Sequence, residues 1–229
     1  MSYLLYMKTK RLRNRRVMTR RNSRRDSKNK LEFIHPALYQ KQGAYGMSTY
    51  SRQKIPVGTV IIREQINNIS DLTKDSPDYQ FALIAKLLET NKTNFMNLVP
   101  SKLDNTTIID YETIRDRHLQ YLPFLSENEA KLCFMKYKRN AFSFNMNPGI
   151  LFYATKLNHS CSPHVKYYPA ENNIMVFETI RQINANEEVF DSYISSQLPK
   201  SERQSILMTR YGFDCQCSKC KTEPYTNGI

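Results

Sequence analysis

Three cysteines lie within six residues near the C-terminal end of the sequence, in the pattern Cys215-x-Cys217-x-x-Cys220. Thiolates at this spacing can bind one zinc ion, and a structural zinc site uses four ligands in a tetrahedron. The fourth ligand must therefore come from a distant part of the chain. The start of the sequence, apolar before basic, is the reverse of a secretory signal. We therefore expect a reducing compartment, in which cysteines bind metal and do not form disulfides.

The fourth ligand has three candidates, which are Cys161, Cys133 and a histidine. Cys133 lies on the apolar face of a predicted helix, which favours a buried packing role. Cys161 lies in a polar turn, Asn-His-Ser-Cys-Ser-Pro at 158–163, that can approach a distant segment and makes it the favoured ligand. A site closed by four thiolates has no open position for water. We therefore expect one structural zinc ion that pins the C-terminal segment near Cys161.

The positive charge is concentrated in one segment. The net charge is +13, and residues 8–30 contain twelve Lys and Arg against Asp26 alone, so this segment carries +11. We expect residues 1–30 to form a disordered basic arm. Clustered Lys and Arg favour non-specific nucleic-acid contact or nuclear targeting, with a merely solubilising extension as the alternative.

The rest of the sequence argues against two classes of protein. It carries a net charge of only +2, and its aromatic residues are not interleaved with Lys or Arg. This pattern disfavours a dedicated zinc-stabilised nucleic-acid-binding protein. No apolar run approaches the roughly 20 residues that a membrane-spanning helix needs, so we expect no membrane partner. An apolar share of 40% is enough to build a core.

Short apolar runs predict strands on both sides of a helical segment. The β-branched run at 59–64 follows two glycine-containing turns, 43–46 and 55–58, and predicts an early strand. Three further strands are predicted after residue 150, at 165–168, 174–180 and 189–194.

Helical signals occupy the region from about residue 70 to 139 and recur near the C-terminal end. Apolar residues at helical spacing predict one helix, and these are Phe81, Ile84, Ala85 and Leu88. Ser126-x-x-Glu129 resembles a capping box at the start of another helix. Ser201-x-x-Gln204 predicts the cap of a last helix that ends at Arg210. Strands that flank a helical insert indicate an α+β fold.

Four motifs follow one another in the C-terminal half of the chain. They are Asn-His-Ser-Cys-x-Pro at 158–163, Glu-Glu-Val-x-x-x-Tyr at 187–193, Tyr-Gly-Phe at 211–213 and Cys-x-Cys-x-x-Cys at 215–220. In this order they resemble the SET-domain protein lysine methyltransferases, and most nearly the SMYD-like branch, which carries a MYND zinc finger. The glycine turn at 43–47 with the strand after it, and Asn140-Ala-Phe142-Ser143, are similar to further elements of that branch. The resemblance covers residues 31–221 and is weakest at 66–138.

The sequence departs from that branch in three respects. No MYND-type cluster of cysteines and histidines is present, and the chain ends nine residues after Cys220, where the branch continues into a helical C-terminal domain. We therefore expect both units to be lacking. Ala44 stands where the usual Gly-x-Gly begins, next to Gly43. Alanine is small, so we expect backbone contacts to a cofactor to persist.

The resemblance implies an α+β SET-domain fold, with short β-sheets, a helical insert and a C-terminal zinc-bound post-SET segment. The implied division is a basic arm at 1–30, a SET domain at 31–195 with its insert at about 70–139, and a post-SET segment at 196–229. A nuclear or cytoplasmic location, or both, is expected.

The resemblance also implies transfer of a methyl group from S-adenosylmethionine (SAM) to a lysine ε-amine of a protein, with histone tails as the default substrate. Tyr193 and Tyr211 would be the catalytic pair, and Phe142 would wall the lysine channel. The implied cofactor-binding residues are Tyr45, Gly46, Asn140, Thr155, Leu157, Asn158, His159, Tyr193, Tyr211 and Phe213. The implied zinc ligands are Cys161, Cys215, Cys217 and Cys220.

The expected chemistry depends on removing a proton from the lysine, whose unperturbed pKa is about 10.4. No histidine or carboxylate base is obvious in the channel. A narrow aromatic slot beside the sulfonium would instead lower the lysine pKa by desolvation and like-charge repulsion. The alternative hypothesis is a catalytically inactive SET-like module that binds lysine peptides or chromatin.

Overall fold

A computed structural model describes residues 31–44, 46–104, 109–145 and 147–224. Two predicted features, the basic arm at 1–30 and the cofactor residue Tyr45, lie outside these ranges.

The described residues contain ten short strands. In chain order they are β1 (Leu31–Ile34), β2 (Leu38–Gly43), β3 (Gly46–Ser51), β4 (Val60–Gln65), β5 (Ala141–Phe142), β6 (Gly149–Ile150), β7 (Asn158–His159), β8 (Val165–Ala170), β9 (Ile174–Thr179) and β10 (Phe190–Asp191). The main sheet has the antiparallel order β1-β4-β9-β8. The pairs β2–β3 and β5–β6 are antiparallel, whereas β7 and β10 pair in parallel.

Six α-helices are present in the described residues. They are α1 (Tyr79–Thr90), α2 (Lys92–Met96), α3 (Tyr111–Tyr121), α4 (Glu127–Asn140), α5 (Lys200–Tyr211) and α6 (Ser218–Thr222). The first four lie between β4 and β5, and single 3₁₀ turns occupy Ala154–Lys156 and Glu171–Asn173. No helix in the described ranges is long and apolar enough to cross a bilayer.

Most local predictions are confirmed, and α4 shows the physical reason. The Ser126 hydroxyl accepts from the Glu129 amide, and the Glu129 carboxylate accepts from the Ser126 amide, so each satisfies a backbone donor at the helix start. The apolar spacing that predicted α1 corresponds to a buried face. The strands predicted at 59–64, 165–168 and 174–180 are β4, β8 and β9.

Two local predictions are wrong in detail. Helix α5 begins at Lys200 after Pro199, so Ser201 is not its cap. Gln204 instead donates to the Cys215 carbonyl at 2.8 Å and accepts from the Cys215 amide at 2.7 Å, which ties the helix to the cysteine segment. The strand predicted at 189–194 is reduced to β10, because the chain turns at Ser192, whose hydroxyl donates to the Ile194 carbonyl.

Three apolar cores hold these elements together. The first lies under the main sheet and contains Ile61, Ile62 and Phe177. The second lies among the four helices of the insert, around Phe81 and Leu87. The third is small and contains the cysteines with Leu207, packed by partly buried aromatic residues that include Tyr193, Tyr211 and Phe213.

Candidate active site and metal centre

Four cysteine side chains converge in the third core. Cys161 follows β7, and the other three lie on the segment after α5. Their sulfur atoms all lie within 4.8 Å of one another, with Cys161 at 3.9 Å from Cys215 and at 3.5 Å from Cys220. Zinc bonded to four sulfurs at about 2.3 Å would place those sulfurs about 3.8 Å apart. The cluster of Cys161, Cys215, Cys217 and Cys220 therefore fits one zinc ion with little rearrangement.

Cys133, the disfavoured candidate for the fourth ligand, lies away from the cysteine cluster. It is buried in the core of the helical insert, 4.0 Å from the Met96 sulfur. Burial raises the pKa of the Cys133 thiol to about 11, so the thiol stays protonated. A protonated, buried thiol away from other ligands acts as a small apolar side chain.

A buried arginine, which sequence reasoning missed, lies against the cysteine cluster. Arg203 is fully buried, and its guanidinium donates to the Cys161 sulfur at 3.3 Å and the Cys220 sulfur at 3.7 Å. It also donates to the Glu223 carboxylate at 2.5 Å and to the Leu198 carbonyl. Zinc with four thiolates carries a net charge of about −2, and a buried charge needs a partner. No spacing rule marks such a residue, since the contact depends on tertiary packing.

His159 connects the cysteine cluster to Tyr193. The Tyr193 backbone amide donates to His159 Nδ1 at 3.0 Å, so the ring proton is on Nε2, which points to the Cys161 sulfur at 3.3 Å. Burial, aided by Arg203, lowers the pKa of His159 to about 4, so the ring is neutral. Both ring nitrogens are therefore used within the protein.

A cavity of about 50 Å³ lies beside the cysteine cluster, since Tyr193 and Tyr211 line the cavity and also pack against the cysteines. Its walls come from α4, β5, β8, β10 and α5. Five of the predicted site residues line it, and these are Asn140, Phe142, Thr155, Tyr193 and Tyr211. Five further residues line it that were not predicted to be functional, and these include the ionisable side chains of Tyr167 and Asp191.

Tyr193 and Tyr211 form one side of this cavity. Their ring centroids are 5.0 Å apart, and the Tyr211 hydroxyl donates to the Tyr193 carbonyl at 3.4 Å. The Tyr193 hydroxyl donates to the Leu157 carbonyl at 2.9 Å. Desolvation raises the pKa of the Tyr193 hydroxyl above its ordinary value, so this group is a neutral donor near physiological pH.

Other predicted residues lie around the cavity and the neighbouring hairpin. The Asn158 amide donates to the Ser48 hydroxyl at 2.7 Å and to the Glu188 carboxylate at 2.8 Å, which joins β7 to β3. Gly46 begins β3 with φ at +112°, and nothing lies within 4 Å of the position a Cβ would take. The Phe213 ring lies 6.0 Å from the His159 ring.

A buried carboxylate on β4 shapes the turn that carries Thr155. Glu64 is 2% exposed and accepts from the backbone amides of Phe152, Tyr153 and Ala154 at 2.6–2.9 Å. Desolvation raises the pKa of Glu64, and these three hydrogen bonds oppose the shift. Glu64 therefore fixes the start of the 3₁₀ turn through a contact that spans about ninety residues of sequence.

Asp191 is a second buried carboxylate, and it lines the cavity although no carboxylate base was obvious there from the sequence. It is 3% exposed, and its Oδ1 accepts from the Ser192 amide at 2.6 Å. Burial raises the pKa of Asp191 to about 7, and the hydrogen bond from Ser192 opposes the shift. The motif at 187–193 contains this residue, but its sequence alone is equally that of an ordinary edge strand.

Comparisons with known proteins agree on one family. The SET domain family model matches residues 46–194. The SET domain-containing protein L678 of Acanthamoeba polyphaga mimivirus is 29% identical over 188 residues, which cover 76% of this chain and 73% of the viral protein. The histone-lysine N-methyltransferase set5 of Schizosaccharomyces pombe is 29% identical over 181 residues, which cover 78% of this chain and 48% of that protein.

The match to the MYND branch is shorter. The SET domain and MYND-type zinc finger protein 6 of Schizosaccharomyces pombe is 38% identical over 71 residues, or 31% of this chain and 14% of that protein. Among solved structures, the SET domain of LSMT bound to lysine and AdoHcy has a TM-score of 0.61 at 14% identity, covering 81% of this chain and 54% of that chain. That structural likeness shows the α+β fold.

Proposed function

This chain belongs to the SET-domain family of SAM-dependent protein-lysine N-methyltransferases, and we propose that its reaction takes place in the cavity that Tyr193 and Tyr211 line. The observation that carries the proposal is the convergence of five predicted site residues on one small cavity beside the cysteine cluster. Binding pockets are typically lined by apolar and aromatic side chains with a few polar groups, and the lining of this cavity follows that pattern. Four aromatic residues line the cavity, Phe142, Tyr167, Tyr193 and Tyr211, and aromatic walls suit a channel for a lysine side chain.

The residues around the cavity fit SAM as the cofactor. Gly46 exposes bare backbone at the β2–β3 hairpin, where a side chain would be strained and where the surrounding space is open. Phe213 offers an apolar ring face beside His159, suited to a flat base. Bound SAM would supply an electrophilic methyl group on a sulfonium. We assign Asn158 and Leu157 to the same cofactor side of the cavity, next to Thr155.

The aromatic walls would prepare the lysine for reaction. Phe142, Tyr193 and Tyr211 exclude water from the amine, which favours its neutral form. The Tyr193 carbonyl and hydroxyl are fixed by Tyr211 and Leu157, so the ring is held in one orientation. Holding the amine in line with the methyl group would lower the activation free energy by several kcal/mol through positioning alone.

The cysteine cluster would support this site through zinc. Tyr211 and Phe213 lie four and two residues before Cys215, and His159 lies two residues before Cys161. One zinc ion bound by the four thiolates would therefore fix both sides of the aromatic wall at once. This role is structural, because four protein ligands leave no open coordination position.

We propose a histone as the protein substrate and a nuclear location, with a cytoplasmic pool also consistent with the sequence. The name of the fission-yeast relative, a histone-lysine N-methyltransferase, supports this choice. The basic segment at 8–30 supports it too, since clustered Lys and Arg favour contact with nucleic acid. The short match to a MYND-containing protein supports placement nearest the SMYD-like branch.

The test is a transfer assay with methyl-labelled SAM, core histones and a whole-cell protein extract. We expect label on a protein lysine, with histones labelled in preference to other proteins. Labelling of other proteins alone would replace the histone assignment. Binding of lysine peptides without any transfer would support the inactive module instead.

A further inference from the structure

Asp191 is a buried carboxylate without a cationic partner. It ends β10 with 3% of its surface exposed, and its side chain accepts a hydrogen bond from its own neighbour, the Ser192 amide. Among the residues that the structure describes, no Lys, Arg or His nitrogen forms an ion pair with it. A carboxylate taken out of water without such a partner destabilises a fold by several kcal/mol. Its presence therefore points to a cation that arrives from outside.

The backbone around Asp191 is rigidly placed. Asp191 pairs with His159 across the parallel β7–β10 ladder, and its carbonyl accepts from the Ser160 amide at 2.8 Å. Because the backbone is fixed on both sides, the carboxylate can move only through its side-chain torsions. It lines the same cavity as Phe142, Tyr193 and Tyr211.

The ionisable groups that face this carboxylate do not neutralise it. Tyr167, Tyr193 and Tyr211 come from β8, the segment after β10 and α5, and burial raises the pKa of each, so all three are neutral. His159 on β7 is neutral as described above. Arg139 from α4 also lines the cavity, but each of its two terminal guanidinium nitrogens donates a hydrogen bond to the Asp104 carboxylate, at 2.7 and 2.9 Å.

We propose that Asp191 binds the ε-ammonium group of the substrate lysine and accepts its proton before methyl transfer. This inference rests on the proposed function, because it assigns a base to the same cavity. Tyr193 and Tyr211 would then enclose the ammonium while the carboxylate neutralises it. The aromatic slot and the carboxylate thus act on the same proton, one by desolvation and the other by accepting it.

The step balances without any further reactant. The ammonium gives one proton to the Asp191 carboxylate, leaving a neutral amine with its lone pair. That lone pair forms the new bond to the methyl carbon as the carbon–sulfur bond of SAM breaks, and the electron pair of that bond stays on sulfur as a neutral thioether. The product is a methylammonium, and the proton on Asp191 leaves to solvent before the next turnover.

The surroundings also suit Asp191 to this task. A base works best when its pKa lies near the working pH, and burial places the pKa of Asp191 at about 7. A purely structural carboxylate in this position would instead hydrogen-bond to several backbone amides, as Glu64 does.

The test is the pH dependence of kcat/KM for wild type and Asp191→Asn between pH 6 and 9, with core histones or, where these are not labelled, whole-cell protein extract as acceptor. Wild type should change about twofold between pH 7 and 9, since Asp191 is then largely ionised and the lysine largely protonated. Asp191→Asn should rise about 100-fold over the same interval, because it depends on the small neutral fraction of a lysine with a pKa of about 10.4.

Glu178→Gln is the matched control, because Glu178 is a carboxylate on β9 that pairs with Lys166 at the surface. Its profile should follow wild type. The inference about Asp191 is overturned if Asp191→Asn shows the wild-type profile, or if wild type itself rises tenfold per pH unit, a result that does not depend on the variant folding. Absence of any transfer by wild type would instead overturn the proposed function.

Discussion

At the scale of single residues, Tyr193 has a role that its contacts define closely. Its hydroxyl donates to the Leu157 carbonyl, its amide donates to His159, and its carbonyl accepts from Tyr211. Three hydrogen bonds to three different segments, one from its side chain and two from its backbone, hold this residue at the cavity wall. A hydroxyl held in this way can orient an amine or a methyl group, but its raised pKa prevents it from acting as a base at neutral pH.

Tyr193→Phe removes only the hydroxyl and leaves the ring. We expect kcat to fall by about tenfold or more, since loss of a positioned polar group in a reaction step has effects of this size. SAM affinity should change much less, because the ring and the backbone contacts remain. Single-turnover kinetics and calorimetric titration with SAM measure the two effects. Unchanged turnover would remove Tyr193 from the catalytic role.

Asp191 also links pH to stability. Burial raises its pKa in the folded protein from 3.8 to about 7, so between these values the native state binds more protons than the unfolded state. Stability from this group is therefore present at low pH and is lost as pH rises through about 7. The relevant quantity is the free energy of unfolding of Asp191→Asn minus that of wild type. This difference should be roughly 2–4 kcal/mol larger at pH 8 than at pH 5, in favour of the variant. Chemical unfolding with saturating zinc measures this, and equal differences at both values would contradict it.

Arg203 is the buried positive charge that would offset the negative charge of the zinc-bound cysteine cluster. Arg203→Met keeps much of the buried volume but removes the donors to Cys161 and Cys220. We expect zinc to be released to a chelator at least about tenfold faster, with a loss of roughly 3 kcal/mol in stability because Glu223 also loses its partner. Arg210→Met, at an exposed position on the same helix, is the control. Equal release rates for both variants would show that Arg203 does not support the metal.

At the scale of elements, the segment after α5 is joined to the rest of the fold by hydrogen bonds and by the cysteine cluster. Gln204 binds the Cys215 backbone, Arg203 binds Glu223, and the cysteine cluster joins the segment to Cys161. Zinc would add four strong bonds to these contacts. The aromatic residues Tyr211 and Phe213 depend on this segment for their position.

Chelation of zinc should therefore remove SAM binding as well as lower stability. We expect affinity for SAM to fall at least about tenfold when stoichiometric zinc is removed, and to return when zinc is added back. Metal content by mass spectrometry and SAM titration on the same samples measure this. Intact SAM affinity in protein free of zinc would show that the metal and the cofactor site are independent.

The helices and the cysteine cluster show which features local sequence patterns predict. Apolar spacing and the capping box predicted α1 and α4 because these signals act over a single helical turn. Ser201-x-x-Gln204 has the same local form, yet Gln204 is used by Cys215, eleven residues further on. The cysteine pattern indicated three members of the cluster directly, whereas Cys161 was the favoured one of three candidates for the fourth ligand because it lies in a polar turn.

Residues placed by tertiary packing were not predictable in this way. From the local sequence, Arg203 would be an exposed charged residue of a helix, and Glu64 an exposed carboxylate near the end of a strand. Asp191 differs from a surface residue only because β7 and β10 pair and Tyr167 packs nearby. Burial of a charged group depends on contacts over long sequence distances, which a local pattern does not encode.

At the scale of the whole molecule, the cavity lies where the three apolar cores meet. Phe142 and Tyr167 pack against the core under the main sheet, Ala141 packs against the helical insert, and Tyr193 belongs to the aromatic residues around the cysteines. Each core contributes one wall. A change in any of the three can therefore shift the relative position of the walls and alter turnover without touching the substrate.

The net charge of the molecule is concentrated in one segment of the sequence. Residues 8–30 carry +11 of the net +13, and the rest of the chain is close to neutral. The cavity therefore does not attract its substrate through a strongly basic or acidic body. In the proposed reaction the cavity itself selects the lysine, through its aromatic walls and the buried Asp191 carboxylate.

The most direct measurement of the central claim is peptide-resolved mass spectrometry of proteins labelled by wild type and by Tyr193→Phe from methyl-labelled SAM. The account predicts label on the ε-amine of lysine, at least about tenfold more with wild type than with the variant. Absence of label on any lysine, or equal labelling by the two proteins, would contradict it.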